Sequence, residues 1–263
     1  MQAVTGIFRS RMDAERAMVQ LESLGVAERQ LTLLTPEDAK GDVQSTATDA
    51  TEQPGMGKAI GALVGASAGL SGGALVVAAI VPGVGPVTAI GLLGGAVLAA
   101  AGAEIGAIAG KKLENATTEG LPEDELFVYE DALRKGRHVL IALADDEAEA
   151  SRFRELLHVE GAETVDAARE QWWIGLRDAE QERYSSIGGN LTEDEKFYRA
   201  GFEAALHSRM RCKEYDQVLG EMDARIEELQ RQYPDRHPAE PFARGYERGQ
   251  DYYQQICNES KAA

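Results

Sequence analysis

The sequence predicts an α+β chain in three parts: a split ferredoxin-like αβ domain, a Gly/Ala-rich helical hairpin inserted into it, and a C-terminal all-helical domain. Three observations carry this expectation. Two strand–helix–strand patterns, at 1–36 and 121–171, echo each other. Between them, residues 59–103 form a run of 45 side chains without a charge. After residue 171 the strand pattern stops while 12 of the 16 aromatic side chains follow, which marks 172–263 as a separate core-forming segment.

The first half opens with an apolar strand from about Ala3 to Phe8. Ala14, Ala17, Met18, Leu21 and Leu24 then recur at helical spacing behind Ser10, and Gly25 offers a C-terminal cap. Leu31 to Thr35 reads as a second strand. Residues 37–55 are polar and rich in turn formers, so they read as a linker. In the second half, Pro122 and the acidic residues Glu123 to Glu125 suit a helix start. That helix is expected to end near Gly136, before the strand His138 to Ala144. Asp145 or Asp146 caps the next helix, whose apolar face holds Ala150, Phe153, Leu156 and Leu157. Gly161 ends it, and Thr164 to Ala168 is expected to be a last strand. Two such halves make a split sheet covered by helices on one face.

Residues 56–111 are the inserted segment. Pro82, Gly83, Gly85 and Pro86 give a turn, which divides it into arms at 57–81 and 87–111. Each arm would reach roughly 36 Å as a helix, against a bilayer core of about 30 Å. Gly57, Gly61, Gly65, Gly69 and Gly73 recur every four residues and so share one helix face. Gly91 with Gly95, and Gly102, Gly106 and Gly110, continue the pattern in the second arm. Interior helix glycines cost about 1 kcal/mol each relative to Ala, so the pattern needs a reason. Close approach of two backbones supplies one. Lys58, Lys111 and Lys112 flank the arms as in a membrane hairpin with cytoplasmic ends, while Glu104 interrupts the second arm. Neither arm carries an aromatic belt, so a packed hairpin inside a soluble oligomer is the competing expectation.

For 172–263 the expected helices are about Thr192 to Arg211, Glu214 to Gln232 and Pro241 to Ile256. Thr192 and Glu195 have capping-box spacing. Tyr198 to Glu203 (YRAGFE) matches Phe242 to Glu247 (FARGYE) at a spacing of 44. The shared glycine and aromatic, Gly201 with Phe202 and Gly245 with Tyr246, predict a helix crossing in which glycine admits the partner and the ring fills the space beside it. A ligand pocket between those helices is the sharper alternative. Trp172 and Trp173 are expected to pack the αβ domain against these helices, with anchoring at a lipid interface as the alternative.

The totals exclude several functions. A net charge of −17 argues against nucleic-acid binding and against electrostatic docking on anionic lipid. Cys212 and Cys257 have no ligand or disulfide spacing and read as reduced thiols of a cytoplasmic compartment. No leader-like segment opens the sequence. His138, His158, His207 and His237 are scattered, and the acidic clusters all stand at helix starts. The sequence contains no phosphate loop, nucleotide fingerprint, zinc motif or nucleophile elbow. No catalytic residue, metal or cofactor is therefore expected.

Residues 1–170 resemble the bacterial heat-induced general-stress-protein family, often called YflT-like. The resemblance rests on Val4 to Phe8 (VTGIF), Asp13 to Ala17 (DAERA), the Gly/Ala segment around Pro82 to Pro86 (PGVGP), and His138 to Ala142 (HVLIA). It implies a non-enzymatic, stress-associated protein and no catalytic residues. Together these readings predict a homo-oligomer, or a membrane-associated protein at the cytoplasmic face with lipid contact, assembled through the glycine ridges. The helical domain is then free to bind a protein partner. A channel or pore ringed by the hairpins is the alternative function.

Overall fold

A computed structural model describes residues 2–36, 76–91, 94, 97–98, 123–211 and 213–262. Five strands make one antiparallel sheet: β1 (Gln2–Phe8), β2 (Leu31–Pro36), β3 (Val76–Val81), β4 (Gly85–Gly91) and β5 (His138–Ala144), in the order β1-β5-β2-β4-β3. Seven helices with described bounds accompany it: α1 (Arg11–Ser23), α2 (Leu126–Arg134), α3 (Glu147–Val159), α4 (Val165–Ser186), α5 (Leu191–Leu206), α6 (Leu219–Gln232) and α7 (Ala239–Ala262). The protein is thus mixed α+β and mostly helical.

β5 is the organising strand. It pairs with β1 on one side (Val4↔Ala142) and with β2 on the other (Leu33↔Leu140). Its sequence HVLIALA is apolar almost throughout because both of its faces are covered. Alternation divides the side chains. Leu140 and Ala142 face a core built with Ala14, Ala17 and Leu21 of α1 and Ala150, Phe153 and Leu157 of α3. Val139 and Ile141 face a second, larger core. There α2 lies against the sheet through Leu126 and Val128, and the aromatic side chains of α4 and α5 pack behind it.

Local chemistry sets the helix limits. The Asp146 carboxylate accepts from the Glu149 N–H at 2.8 Å, and Glu149 reaches back to the Asp145 N–H at 2.6 Å, which fixes the start of α3. Gly161 follows α3 at φ +90°, a value that favours glycine. The strand expected at 164–168 is instead the start of α4. The Thr164 hydroxyl caps that helix by accepting from the Ala167 N–H at 3.2 Å. Only Glu163 reaches the sheet, in a single bridge to Ile7. α4 then runs without a break through the boundary expected between 171 and 172, and one core continues from the sheet into the C-terminal helices.

The largest departure lies at 76–91. These residues form a β-hairpin, not the inner ends of two helical arms. Ile80, Val81, Val87, Thr88 and Ile90 are β-branched and fit a pleated surface. β2 offers the edge on which β4 pairs, in the register Leu34↔Ala89. The turn itself falls at Pro82 to Val84, with the Val84 N–H bonded to the Val81 carbonyl at 3.0 Å. Gly85 and Pro86 are already in β4, Pro86 opposite Ile80. Gly91 ends that strand beside Thr32 at φ +120°, where a Cβ would overlap the Leu31 carbonyl oxygen. Its glycine serves strand-to-strand approach and not a helix ridge. Residues 94, 97 and 98 are helical, and Val97 and Leu98 are buried in the larger core. Gly57, Gly61, Gly65, Gly69, Gly73, Gly95, Gly102, Gly106 and Gly110 lie outside the described residues, as do Lys58, Glu104, Lys111 and Lys112. No helix among the described residues is long and apolar enough to cross a membrane.

Gly91→Ala should therefore lower unfolding stability by about 2 kcal/mol or more, through strain and overlap with β2. Urea denaturation checks this, and an unchanged midpoint would contradict the role given to Gly91.

Candidate functional site

Among the described residues, the closest backbone approach at a glycine is the crossing of α5 and α7. A Cβ at Gly201 would overlap the Phe242 carbonyl oxygen, and one at Gly245 would overlap the Tyr198 carbonyl oxygen. The two halves of the sequence repeat meet each other reciprocally, each glycine under the residue that opens the other unit. One turn further on, Gly249 lies against the Phe202 carbonyl, at a somewhat wider approach. Phe202 and Tyr246 are fully buried beside their glycines. The Tyr246 hydroxyl donates to the Lys213 carbonyl at 3.0 Å, which ties the segment after α5 to α7.

Around this crossing stands an aromatic cluster. Trp172 packs edge-on to Phe127 of α2 at 4.9 Å between centroids, to Phe202 at 5.8 Å and to Tyr252 at 6.3 Å. Trp173 is buried against Phe202, and its indole N–H donates to Glu195 at 2.8 Å. The tryptophans therefore join the sheet layer to the C-terminal helices. Their large apolar area and directed polar edge hold a specific packing geometry.

Two buried ion pairs and the partly exposed Glu195 stand in the same region. Glu130 on α2 receives two hydrogen bonds from Arg211, at 2.7 and 2.8 Å, and both side chains are 6% exposed. Burial pushes the Glu130 carboxyl above the usual carboxylate range, and Arg211 offsets part of that rise. Arg211 also donates to the Leu206 carbonyl and lies 4.7 Å over the Tyr253 ring, so one guanidinium links α2, the end of α5 and α7. Glu180 on α4 is 1% exposed and accepts from Tyr198 at 2.9 Å and from Arg248 at 2.8 Å. Burial, with the Glu180 carboxylate beside it, raises the Tyr198 hydroxyl well above its ordinary value. Burial acts against ionisation of Glu195, yet the donors Arg177 and Trp173 hold its pKa below the usual range. Glu195 thus serves α4, and the box expected with Thr192 does not form. Asn190 precedes the helix instead, with its side-chain amide on Glu193.

His207 closes α5. It is buried, its Nε2 meets Asp124, and its Nδ1 accepts from the Arg209 N–H at 3.3 Å. That pattern makes it a structural clasp between α5 and the turn before α2. Cys257 is half-buried on α7, and Cys212 lies outside the described residues. Among the described residues, no group of three His, Cys, Asp or Glu side chains is placed to hold a metal. The structure brings Gly201, Phe202, Gly245 and Tyr246 together. It also places Gly83 against Ile256 of α7, where the Gly83 carbonyl accepts from Arg134 at 2.7 Å. The Glu130–Arg211 and Glu180–Arg248 pairs had no sequence signal, since their members stand far apart in the chain.

No family model, curated protein or solved structure matches this chain.

Removing one member of the Glu130–Arg211 pair strands the other in a dry site. Glu130→Ala should cost about 3–5 kcal/mol, whereas Glu130→Met combined with Arg211→Leu should recover most of that loss. Chemical denaturation of the three proteins checks this. A single-variant loss below about 1 kcal/mol would show the pair to be solvated and dispensable.

Proposed function

We propose that the protein is a non-enzymatic assembly protein that self-associates through the glycine repeats flanking the β3–β4 hairpin. One observation carries the reading: β3 begins, and β4 ends, at the same end of the sheet. Val76 stands opposite Ile90, and Gly91 beside Thr32. Neighbouring strands lie about 4.8 Å apart, so the repeat that enters at Val76 and the chain that leaves at Gly91 are tethered side by side. The hairpin is also held at its other end, where Arg134 and Ile256 clasp the turn between the strands. On the helical reading of their four-residue spacing, the repeats would present glycine faces to which a second copy is matched by symmetry.

The same geometry favours assembly over insertion in a membrane. Val81, Val87, Ala89, Val97 and Leu98 are spent in the protein's own core. That leaves 57–75, at the short end of the range for a spanning helix, and 99–111, below it. A pore ringed by hairpins would need longer arms and has no described feature in its favour.

We read the fold as a split ferredoxin-like domain with extra parts. β1 and β2 flank β5, α1 and α3 cover one face, and Glu163 bridges Ile7 where a fourth strand would stand. The β3–β4 hairpin extends the β2 edge, and the helical layer covers the other face as a platform for a protein partner. A role in stress follows from the likeness of 1–170 to the heat-induced general-stress proteins, and from nothing else.

The test is the double variant Gly65→Leu with Gly69→Leu. Its light-scattering mass should fall towards that of one chain, while the far-ultraviolet dichroism stays unchanged. An assembly of the original mass would overturn the proposal, and so would a wild-type protein that is already monomeric. Recovery in the bilayer fraction of lysed cells, abolished by the same substitutions, would favour the membrane reading instead.

A further inference from the structure

A cleft of about 590 Å³ runs along α5 beside α4, and its walls include Arg169, Glu193, Glu195, Lys196, Arg199 and Glu203. Most of these charges are committed. Glu195 takes Arg177 and Trp173, Arg199 joins Glu170 to Glu203, and Lys196 lies 3.4 Å over the Tyr233 ring. Glu193 accepts from Asn190. Arg169 differs from all of them. Its Nε is buried with no hydrogen-bond partner, and its described contact is the Phe127 ring, 5.8 Å from the guanidinium carbon. Among the described residues no carboxylate pairs with it.

That arrangement is costly. A guanidinium stays ionised, and burying its Nε–H without a hydrogen-bond partner is unfavourable, although Arg169 as a whole is only half-buried. The chain carries 44 acidic side chains, and the neighbouring Arg177, Arg199, Arg211 and Arg248 all have carboxylate partners. A carboxylate bound in the cleft would supply the counter-charge that no described residue gives Arg169. The chemistry of the ligand is restricted by the walls. The planar fork of an arginine matches a carboxylate. Glu193, Glu195 and Glu203 balance Arg169, Lys196 and Arg199 in the walls, so the cleft has no excess positive charge to hold phosphate or another polyanion. Ala200 contributes apolar surface between them.

We propose that this cleft binds a small organic monocarboxylate, held by Arg169, with its apolar body along α5. The site is independent of the glycine repeats and of self-association. Trp173 reports on it, because its indole N–H is bonded to Glu195 in the cleft wall. The experiment titrates the full chain with benzoate and follows tryptophan emission. The expected result is a saturable change with benzoate and none with neutral benzamide. Arg169→Met, which keeps the apolar stem, should weaken benzoate binding by about tenfold or more, as loss of a charge-assisted hydrogen bond does. Should that variant fail to fold, the Arg169 Nε–H resonance of the wild-type protein serves instead, and it should shift with benzoate and stay still with benzamide. No saturation, an equal response to benzamide, tighter binding of inorganic phosphate, or unchanged affinity in folded Arg169→Met would each overturn the proposal.

Discussion

The C-terminal half of the protein depends on two backbones meeting without side chains between them. At Gly201 and Gly245 the chain gives up helix propensity, at about 1 kcal/mol for each glycine relative to alanine. The return is reciprocal contact between α5 and α7, with each carbonyl oxygen seated over the other helix's glycine. Dispersion and weak Cα–H···O contacts grow steeply at that range. The crossing then fixes what lies around it. Phe202 and Tyr252 reach Trp172, Arg248 reaches Glu180, and Gln250 donates to the Met210 carbonyl. A wider crossing would separate these partners together.

From the crossing the constraint passes to the sheet through α2. Phe127 joins the tryptophans, Glu130 holds Arg211, and Arg134 holds the β3–β4 turn. The β3–β4 hairpin is therefore tied through its turn to the same core as the C-terminal helices. The cleft proposed to bind a carboxylate is lined by α4 and α5 of this same core.

Much of the sheet and its first helical layer was legible because each local signal agrees with the fold. Gly25 and Gly161 stand after α1 and α3, Asp146 stands before α3, and β5 reads as a doubly covered strand. The α5–α7 crossing was legible for a different reason: a glycine beside an aromatic, repeated at a spacing of 44, has few uses other than close packing. The hairpin at 76–91 was not. Its Gly/Ala/Val run satisfies helix and strand periodicity alike, and the deciding partner is the edge of β2, a contact no local pattern records. α4 was misjudged at its start because Thr164 to Ala168 has the length and composition of an edge strand, while its N-cap bond is visible only in three dimensions. Arg169 gave no signal at all, since an unpaired charge is recognised only once its neighbours are seen to be paired.

Substitution at the crossing tests the central claim most directly, because two effects of opposite sign compete there. Alanine at Gly201 or Gly245 improves helix propensity by about 1 kcal/mol but places a methyl group on a carbonyl oxygen. Urea denaturation of Gly201→Ala, Gly245→Ala and the double variant measures the outcome. Each single change should lower stability by about 2 kcal/mol or more, and the double loss should fall short of the sum because both open the same contact. Stabilisation by about 1 kcal/mol in either single variant, the gain that propensity alone would give, would contradict the account.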